Sequence, residues 1–147
     1  MLLLLQFASQ NIALFCCALY AGAATYVSLV EHPAVMAGGA ELADAYALMA
    51  HPRPVVLKAS FGVVGAAAAL LAGVAGNAMW WLAGSVLLGS AAAVEVVVVM
   101  PLVRHCLDVD ARINVFAAEQ LFRRLARLHA ALSLAGLGSL SILIMST

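Results

Sequence analysis

The chain has 147 residues and a mass of 15.2 kDa, and 66% of its residues are hydrophobic while only 10% are charged. Soluble domains are nearer half apolar and a quarter charged, so this composition excludes a soluble globular enzyme and a disordered chain. Seven basic residues balance seven acidic ones, which leaves no basic surface for nucleic acid. A mean hydropathy of +1.09 indicates that lipid surrounds most of the chain. We expect residues 1–147 to form one transmembrane domain.

Four long apolar stretches predict four helices that cross a membrane. Each stretch is close to, or longer than, the roughly 20 residues that a helix needs to cross the hydrocarbon core. The alternating pattern of spanning strands is absent, and helices satisfy their backbone hydrogen bonds within one segment. We therefore expect an all-α integral membrane protein whose first apolar run is retained, because no basic region precedes it. The predicted spans cover residues 5–31, 55–75, 79–103 and 126–145.

The connections between these spans predict an antiparallel four-helix bundle. Gly76-Asn77 is typical of a tight turn and makes the second and third spans a helical hairpin. The other two connections are long. Residues 111–127 carry apolar and charged side chains on different sides of a predicted helix, and this helix leads directly into the fourth span. We expect it to be a cytoplasmic amphipathic helix and an extramembrane extension of the fourth span.

All lysine and arginine residues belong to one end of the predicted bundle. This basic end carries the two long connections, whereas the apolar end carries both termini and the turn at Gly76-Asn77. Basic residues favour the cytoplasmic side of a membrane. We therefore expect a bacterial inner-membrane protein with both termini in the periplasm. The basic residues are Arg53, Lys58, Arg104, Arg112, Arg123, Arg124 and Arg127.

Two charged residues lie inside the predicted spans. Glu95 lies within the valine-rich part of the third span, and Lys58 lies near the start of the second. A carboxylate at membrane depth is costly and by default indicates a functional site. Because the two spans form a hairpin, we expect Glu95 to face the bundle interior within reach of Lys58 or a histidine. The alternatives are a purely structural ion pair, a protonated Glu95, or a Lys58 that extends to the membrane surface.

Two histidines are predicted to reach a similar depth at the basic end. His32 follows Glu31 at the end of the first span, and His129 opens the membrane part of the fourth. A buried histidine can carry protons, bind a metal or haem, or simply be a satisfied core residue. Together with the charged pair, these residues predict a pocket at the basic end. Its candidate catalytic residues are His32, His129 and Glu95, and its candidate substrate-binding residues are Glu31, Lys58 and Arg127.

Three segments carry a resemblance to a known family. They are residues 26–34 (YVSLVEHPA), 96–101 (VVVVMP) and 121–129 (LFRRLARLH). In these segments the chain resembles the small four-span bacterial membrane proteins that are grouped with anthrone oxygenases and were formerly a domain of unknown function. The resemblance covers nearly the whole chain. Its most specific parts are the Glu-His-Pro end of the first span and the Arg-Leu-His opening of the fourth, at residues 127–129.

The resemblance implies an activity. Fungal members imply the oxidation of an anthrone to an anthraquinone by O₂, without a bound metal or flavin. Such a reaction needs a base, hydrogen-bond donors for an enolate oxygen and an apolar slot. On this interpretation His32 or His129 is the base and Arg127 or Lys58 is the partner of the oxyanion. The expected substrate is an apolar aromatic molecule of the anthrone or quinol type.

Two other interpretations fit the sequence. The first is a non-enzymatic membrane subunit or partner-binding protein, in which the basic helix at residues 111–127 contacts a partner or an anionic membrane surface. The second is a haem- or metal-binding bundle that uses His32 and His129 as ligands. We otherwise predict no cofactor and no nucleic-acid partner. The expected partners are the lipid bilayer, an apolar small molecule and, through faces of small residues, a second copy of the chain.

Overall fold

The structure is a computed structural model that describes residues 2–38, 52–106 and 115–147. Within these ranges it contains α-helices and two short π-helical segments, and no strands. The helices are Leu2–Tyr26, His32–Ala37, Pro52–Gly76, Met79–Val94, Met100–Cys106 and Val115–Ile144. The π-helical segments are Val27–Glu31 and Glu95–Val99.

Four membrane-spanning helices pack into one bundle, as predicted. Within the described ranges the spans are Leu2–Ala37, Val55–Gly76, Met79–Arg104 and Arg123–Ile144, hereafter the first to fourth spans. Each span packs along its length against its two neighbours, so the first also contacts the fourth. The outward faces carry large apolar side chains that are more than half exposed, as lipid contact requires. Examples, one from each span, are Phe15, Val63, Val86 and Leu134.

The turn between the second and third spans is as tight as predicted. The second helix ends at Gly76, and the third begins at Met79. Asn77 has a φ of 51°, a left-handed conformation that asparagine tolerates better than most residues with a side chain. The Ala78 N–H donates to the Gly73 carbonyl at 2.9 Å. This turn makes the two spans antiparallel neighbours, which places Lys58 and Glu95 at the same end of the bundle.

Small residues bring the spans close together in the apolar half of the bundle. The Ser85 hydroxyl donates to the Ala66 carbonyl at 2.8 Å, which joins the third span to the second. The Ser139 hydroxyl donates to the Gly84 carbonyl at 2.9 Å, which joins the fourth span to the third. A Cβ at Gly84 would lie only 2.6 Å from a Leu143 methyl carbon. The small residues therefore serve packing within the bundle, and their use in a homo-oligomer stays a prediction.

The first span is longer than predicted because a π-helical segment accommodates a proline. We expected the span to end at residue 31, before Pro33. Instead the Val27 carbonyl accepts from the His32 N–H, five residues later, and the helix continues to Ala37. Proline has no N–H for the carbonyl four residues earlier and its ring crowds that carbonyl. The wider i→i+5 turn relieves this conflict without ending the helix.

The third span repeats this arrangement. The Glu95 carbonyl accepts from the Met100 N–H, five residues later, and Pro101 follows directly. In both spans the π-helical segment therefore ends two residues before a proline. The wider turn also keeps Glu95, Val99 and Val103 buried although each is four residues from the next. In a regular α-helix, which turns by about 100° per residue, side chains eight residues apart would point in directions about 80° apart.

The fourth span has the extension that the sequence predicted. The helix is continuous over Val115–Ile144, and eight of its residues precede the span. At about 1.5 Å per residue these add roughly 12 Å to the helix on the basic side of the membrane. The predicted amphipathic helix began at residue 111, and residues 111–114 lie outside the described ranges.

The topology gives a direct test of orientation. A reporter fused at Thr147 should be active in the periplasm, and one inserted between residues 106 and 115 should be active only in the cytoplasm. The reason is that all basic residues lie at or near the basic end, which favours the cytoplasm. Alkaline phosphatase and green fluorescent protein fusions provide the measurement. A cytoplasmic signal at Thr147 would contradict the predicted orientation.

Candidate functional site

Each of the four spans contributes a large titratable side chain to the buried interior of the bundle. These four residues, hereafter the axial cluster, are all 1% exposed or less. Titratable groups of this kind are rarely buried unless they have partners. The four spans thus converge on one site rather than on a uniformly apolar core. The members of the axial cluster are Tyr20, Lys58, Glu95 and His129.

A buried ion pair forms the centre of this cluster. The Lys58 Nζ atom lies 2.6 Å from the Glu95 Oε1 atom, with both side chains almost fully buried. The predicted contact of Lys58 with Glu95, and the predicted inward orientation of Glu95, are confirmed. Desolvation of two such charges is expensive, and only close contact offsets it. The pair therefore holds the second and third spans in one relative position.

His129 joins this pair from the fourth span. Its Nδ1 atom lies 3.4 Å from the Lys58 Nζ atom. An ammonium group has only donors, so Nδ1 is the acceptor of this contact. The Ser133 hydroxyl donates to the His129 carbonyl at 2.8 Å, one helical turn further into the membrane. Lys58 thus bridges the Glu95 carboxylate and the His129 imidazole, which come from the third and fourth spans.

The second carboxylate oxygen of Glu95, Oε2, is free to accept a proton or a hydrogen bond. Among the described residues the Oε2 atom is buried and has no hydrogen-bond partner. A carboxylate oxygen without donors retains its capacity to accept a proton or a hydrogen bond. Because Lys58 contacts Oε1, the charge of the carboxylate is balanced while Oε2 stays available. This arrangement suits a general base held in a fixed position.

Tyr20 completes the cluster from the first span, and the sequence analysis did not single it out. Its ring lies between two glycines on facing spans. A Cβ at Gly136 would be 3.0 Å from the Tyr20 Cδ1 atom, and one at Gly62 would be 3.2 Å from Cδ2. The Tyr20 hydroxyl is buried, with no hydrogen-bond partner in the described part of the chain. The sequence did contain an indication of this position, because the glycines on the second and fourth spans leave room between the helices for one large side chain.

The other predicted site residues lie around the cluster rather than in it. Glu31 and His32 are half-buried at the end of the first π-helical segment. Glu31 is close enough to Lys58 to interact electrostatically with it. Arg127 is exposed, whereas His129 is buried. Residues two apart on a helix point in nearly opposite directions, so the structure does not bring Arg127 to the axial cluster.

A small cavity lies between the second and third spans at the basic end. It has a volume of about 60 Å³ and is lined by Val55, Val56, Met100, Val103 and Arg104. None of the six predicted site residues lines it. A cavity of this size holds a few water molecules but no ring system.

The described residues offer little support for a metal site. Within ranges 2–38, 52–106 and 115–147 no group of three or more His, Cys, Asp or Glu side chains is placed to hold an ion. The ammonium group beside His129 also disfavours a second cation there. Haem ligation by His32 and His129 stays a prediction. A Soret band in the visible spectrum of the purified protein is the measurement that would support it.

Comparison with protein-family models, with curated proteins and with solved structures finds no match for this chain. The resemblance to the anthrone oxygenase-like proteins therefore stays a prediction.

The buried Lys58–Glu95 pair predicts that removing one charge destabilises the protein more than removing both. Lys58→Met should lower the free energy of unfolding by about 3–5 kcal/mol, because it leaves a buried Glu95 charge without a partner. The double variant Lys58→Met/Glu95→Leu should lose less, since apolar side chains of similar volume replace both charges. Denaturant titration in detergent micelles, followed by circular dichroism, gives the measurement.

Arg124→Met is the matched control, because it removes a basic side chain that is exposed. It should change the free energy of unfolding by less than about 0.5 kcal/mol. If the double variant is as unstable as Lys58→Met alone, the pair is not the interaction that the single substitution breaks.

Proposed function

We propose that this protein is a membrane-embedded oxidoreductase that removes a proton from an apolar aromatic substrate, of the anthrone type, and lets O₂ oxidise the resulting anion. One observation carries the proposal: Glu95 is buried at the axis of a membrane bundle, with Oε1 paired to Lys58 and Oε2 without a partner among the described residues. Intramembrane ionisable groups are costly and by default functional. The resemblance to anthrone oxygenase-like proteins, which stays a prediction, implies the same class of reaction, with His32 or His129 rather than Glu95 as the base.

The charges of the cluster balance throughout the proposed first step. Before it, the Glu95 carboxylate neutralises the Lys58 ammonium at 2.6 Å. When Glu95 accepts the substrate proton it becomes neutral, and the Lys58 ammonium then becomes the counter-ion of the substrate anion. The net charge of the site does not change, so the apolar surroundings add no new desolvation cost. This preorganised compensation is the main way in which such a site lowers a barrier.

The remaining steps need only O₂ and the same carboxylate. The substrate carbanion gives its electrons to O₂ and forms a C–O bond, and the peroxide anion takes the proton back from Glu95. Loss of the second C–H proton then breaks the O–O bond and forms the new carbonyl. The released hydroxide combines with that proton to give water. The sum is one anthrone and one O₂ converted into one anthraquinone and one water.

Substrate entry requires the basic end of the bundle to open. The cavity of about 60 Å³ at this end is far smaller than a three-ring molecule. The two π-helical segments, Val27–Glu31 and Glu95–Val99, lie in this part of the first and third spans. Such segments are frequent at functional sites. In this proposal an apolar substrate enters from the bilayer, and the basic end faces the cytoplasm of a bacterial cell.

Substitution of the proposed base tests this function. Glu95→Gln should lower the rate of anthrone oxidation by at least about 10²-fold, because the amide cannot accept the proton. The measurement is O₂ consumption together with anthraquinone absorbance, each corrected for spontaneous oxidation in empty micelles. Arg124→Gln, an exposed position on the fourth span, should retain the wild-type rate. A wild-type protein that does not exceed the spontaneous rate would contradict the proposal.

A non-enzymatic role has one observation in its favour. The fourth helix carries three exposed arginines where it reaches the basic end: Arg123, Arg124 and Arg127. Such a basic surface attracts an anionic membrane or an acidic partner. In that case neutralising two of these arginines, as in Arg124→Gln/Arg127→Gln, should release a co-purifying partner. Glu95→Gln should then leave partner binding intact.

A further inference from the structure

Tyr20 is the one member of the axial cluster that has no explained role. Lys58, Glu95 and His129 are joined by contacts of 2.6 and 3.4 Å. The Tyr20 side chain is 0% exposed, yet its hydroxyl has no hydrogen-bond partner within the described residues. Buried polar groups are nearly always hydrogen-bonded, so an exception requires an explanation. A donor that is kept buried and unpaired is suited to a ligand that supplies the missing acceptor.

The surroundings of Tyr20 hold its ring in one position. Gly62 on the second span and Gly136 on the fourth lie against opposite edges of the ring, and a Cβ on either would come within 3.2 Å of it. The backbone of Ala21 is also packed against Gly136. A donor fixed in this way does not need to reorganise when charge develops on an acceptor. The ring is therefore held as a preorganised donor.

The depth of Tyr20 relates it to the proposed base. Gly62, which contacts the ring, follows Lys58 by four residues on the second span, so the ring lies about one helical turn, roughly 5.4 Å, deeper in the membrane. The phenol is still close enough to Glu95 to interact electrostatically with its carboxylate. The base and the phenol thus belong to one site, and the phenol ring is the deeper of the two.

We propose that Tyr20 is a catalytic residue that donates its O–H to the substrate oxygen on which negative charge develops when Glu95 removes the proton. This inference rests on the proposed function and specifies its substrate class. In an anthrone the acidic carbon and the carbonyl oxygen lie on opposite edges of the central ring. Glu95 on the third span and Tyr20 on the first belong to two spans that lie diagonally in the bundle, so a base and a donor placed there can contact these two edges. The substrate class is therefore a ring carbon acid whose carbonyl lies across the ring from the acidic carbon.

Tyr20→Phe is the test, because it removes only the hydroxyl. We expect kcat for anthrone oxidation to fall about 10²-fold, as for the loss of one oxyanion donor, while KM changes less than threefold. The thermal unfolding temperature should not fall, because the ring is retained and no hydrogen bond within the described part of the chain is lost. Tyr26→Phe is the matched control. Its side chain is exposed on the same helical run, and it should retain the wild-type kcat.

A second measurement does not depend on activity. The probe is 10,10-dimethylanthrone, which has the carbonyl but no acidic C–H and therefore cannot react. Its carbonyl stretch should move to lower frequency when it binds the wild-type protein or Tyr26→Phe. With Tyr20→Phe the stretch should resemble that in an apolar solvent. Isotope-edited infrared spectroscopy in micelles gives this readout.

The possible failures are distinguishable. If Tyr20→Phe retains the wild-type kcat and carbonyl frequency while Glu95→Gln is inactive, the role of Tyr20 is overturned and the proposed function stands. If Tyr20→Phe unfolds at a lower temperature, the hydroxyl has a structural partner and the inference is also overturned. If the wild-type protein does not oxidise anthrone, the proposed function fails. The infrared shift then decides alone whether Tyr20 binds the carbonyl.

Discussion

A carboxylate and an ammonium group inside a lipid-surrounded bundle must meet, and this constraint organises the rest of the structure. Lys58 and Glu95 lie on different spans, and each would be costly to bury alone. Their 2.6 Å contact fixes how the second and third spans align along the bundle. Yet a well-packed apolar pair usually stabilises a fold as well as a buried ion pair does. Stability alone therefore does not account for this pair, and the acid–base chemistry that we propose gives a reason for it.

The two halves of the bundle are held together by different interactions. In the apolar half, serine hydroxyls donate to carbonyls of neighbouring spans, as from Ser85 to Ala66 and from Ser139 to Gly84. These short side chains let the backbones approach closely. In the basic half, the longer side chains of the axial cluster connect the spans instead of serine hydroxyls. Tyr20 lies where the two halves meet, which explains why glycines surround its ring while its hydroxyl remains near Glu95.

The sequence was sufficient for the helices and for the charged pair, but not for the whole site. Apolar length predicts the spans, and the cost of isolated charges predicts that Glu95 faces inward, within reach of Lys58 or a histidine. The inclusion of Tyr20 depends on Gly62 and Gly136, which are distant from it in sequence, so no local pattern indicates it. Its amphipathic ring would suit a membrane surface equally well. Arg127 was predicted to be a substrate-binding residue at the same site as His129, but residues two apart on a helix face opposite ways.

The two prolines explain why the first span is longer than predicted. They also explain why an irregular turn lies at the candidate site. We expected the first span to end at residue 31, just before Pro33, and proline does remove a backbone donor and crowd the preceding turn. In the structure the helix continues, since a π-helical segment absorbs the conflict. Pro101 has the same effect on the third span, and the segment that it induces begins at Glu95. The proline thus places an irregular turn directly beside the proposed base. The proposed function needs the closed basic end of the bundle to open for a ring system, and this irregular turn is the part of the third span that we expect to move.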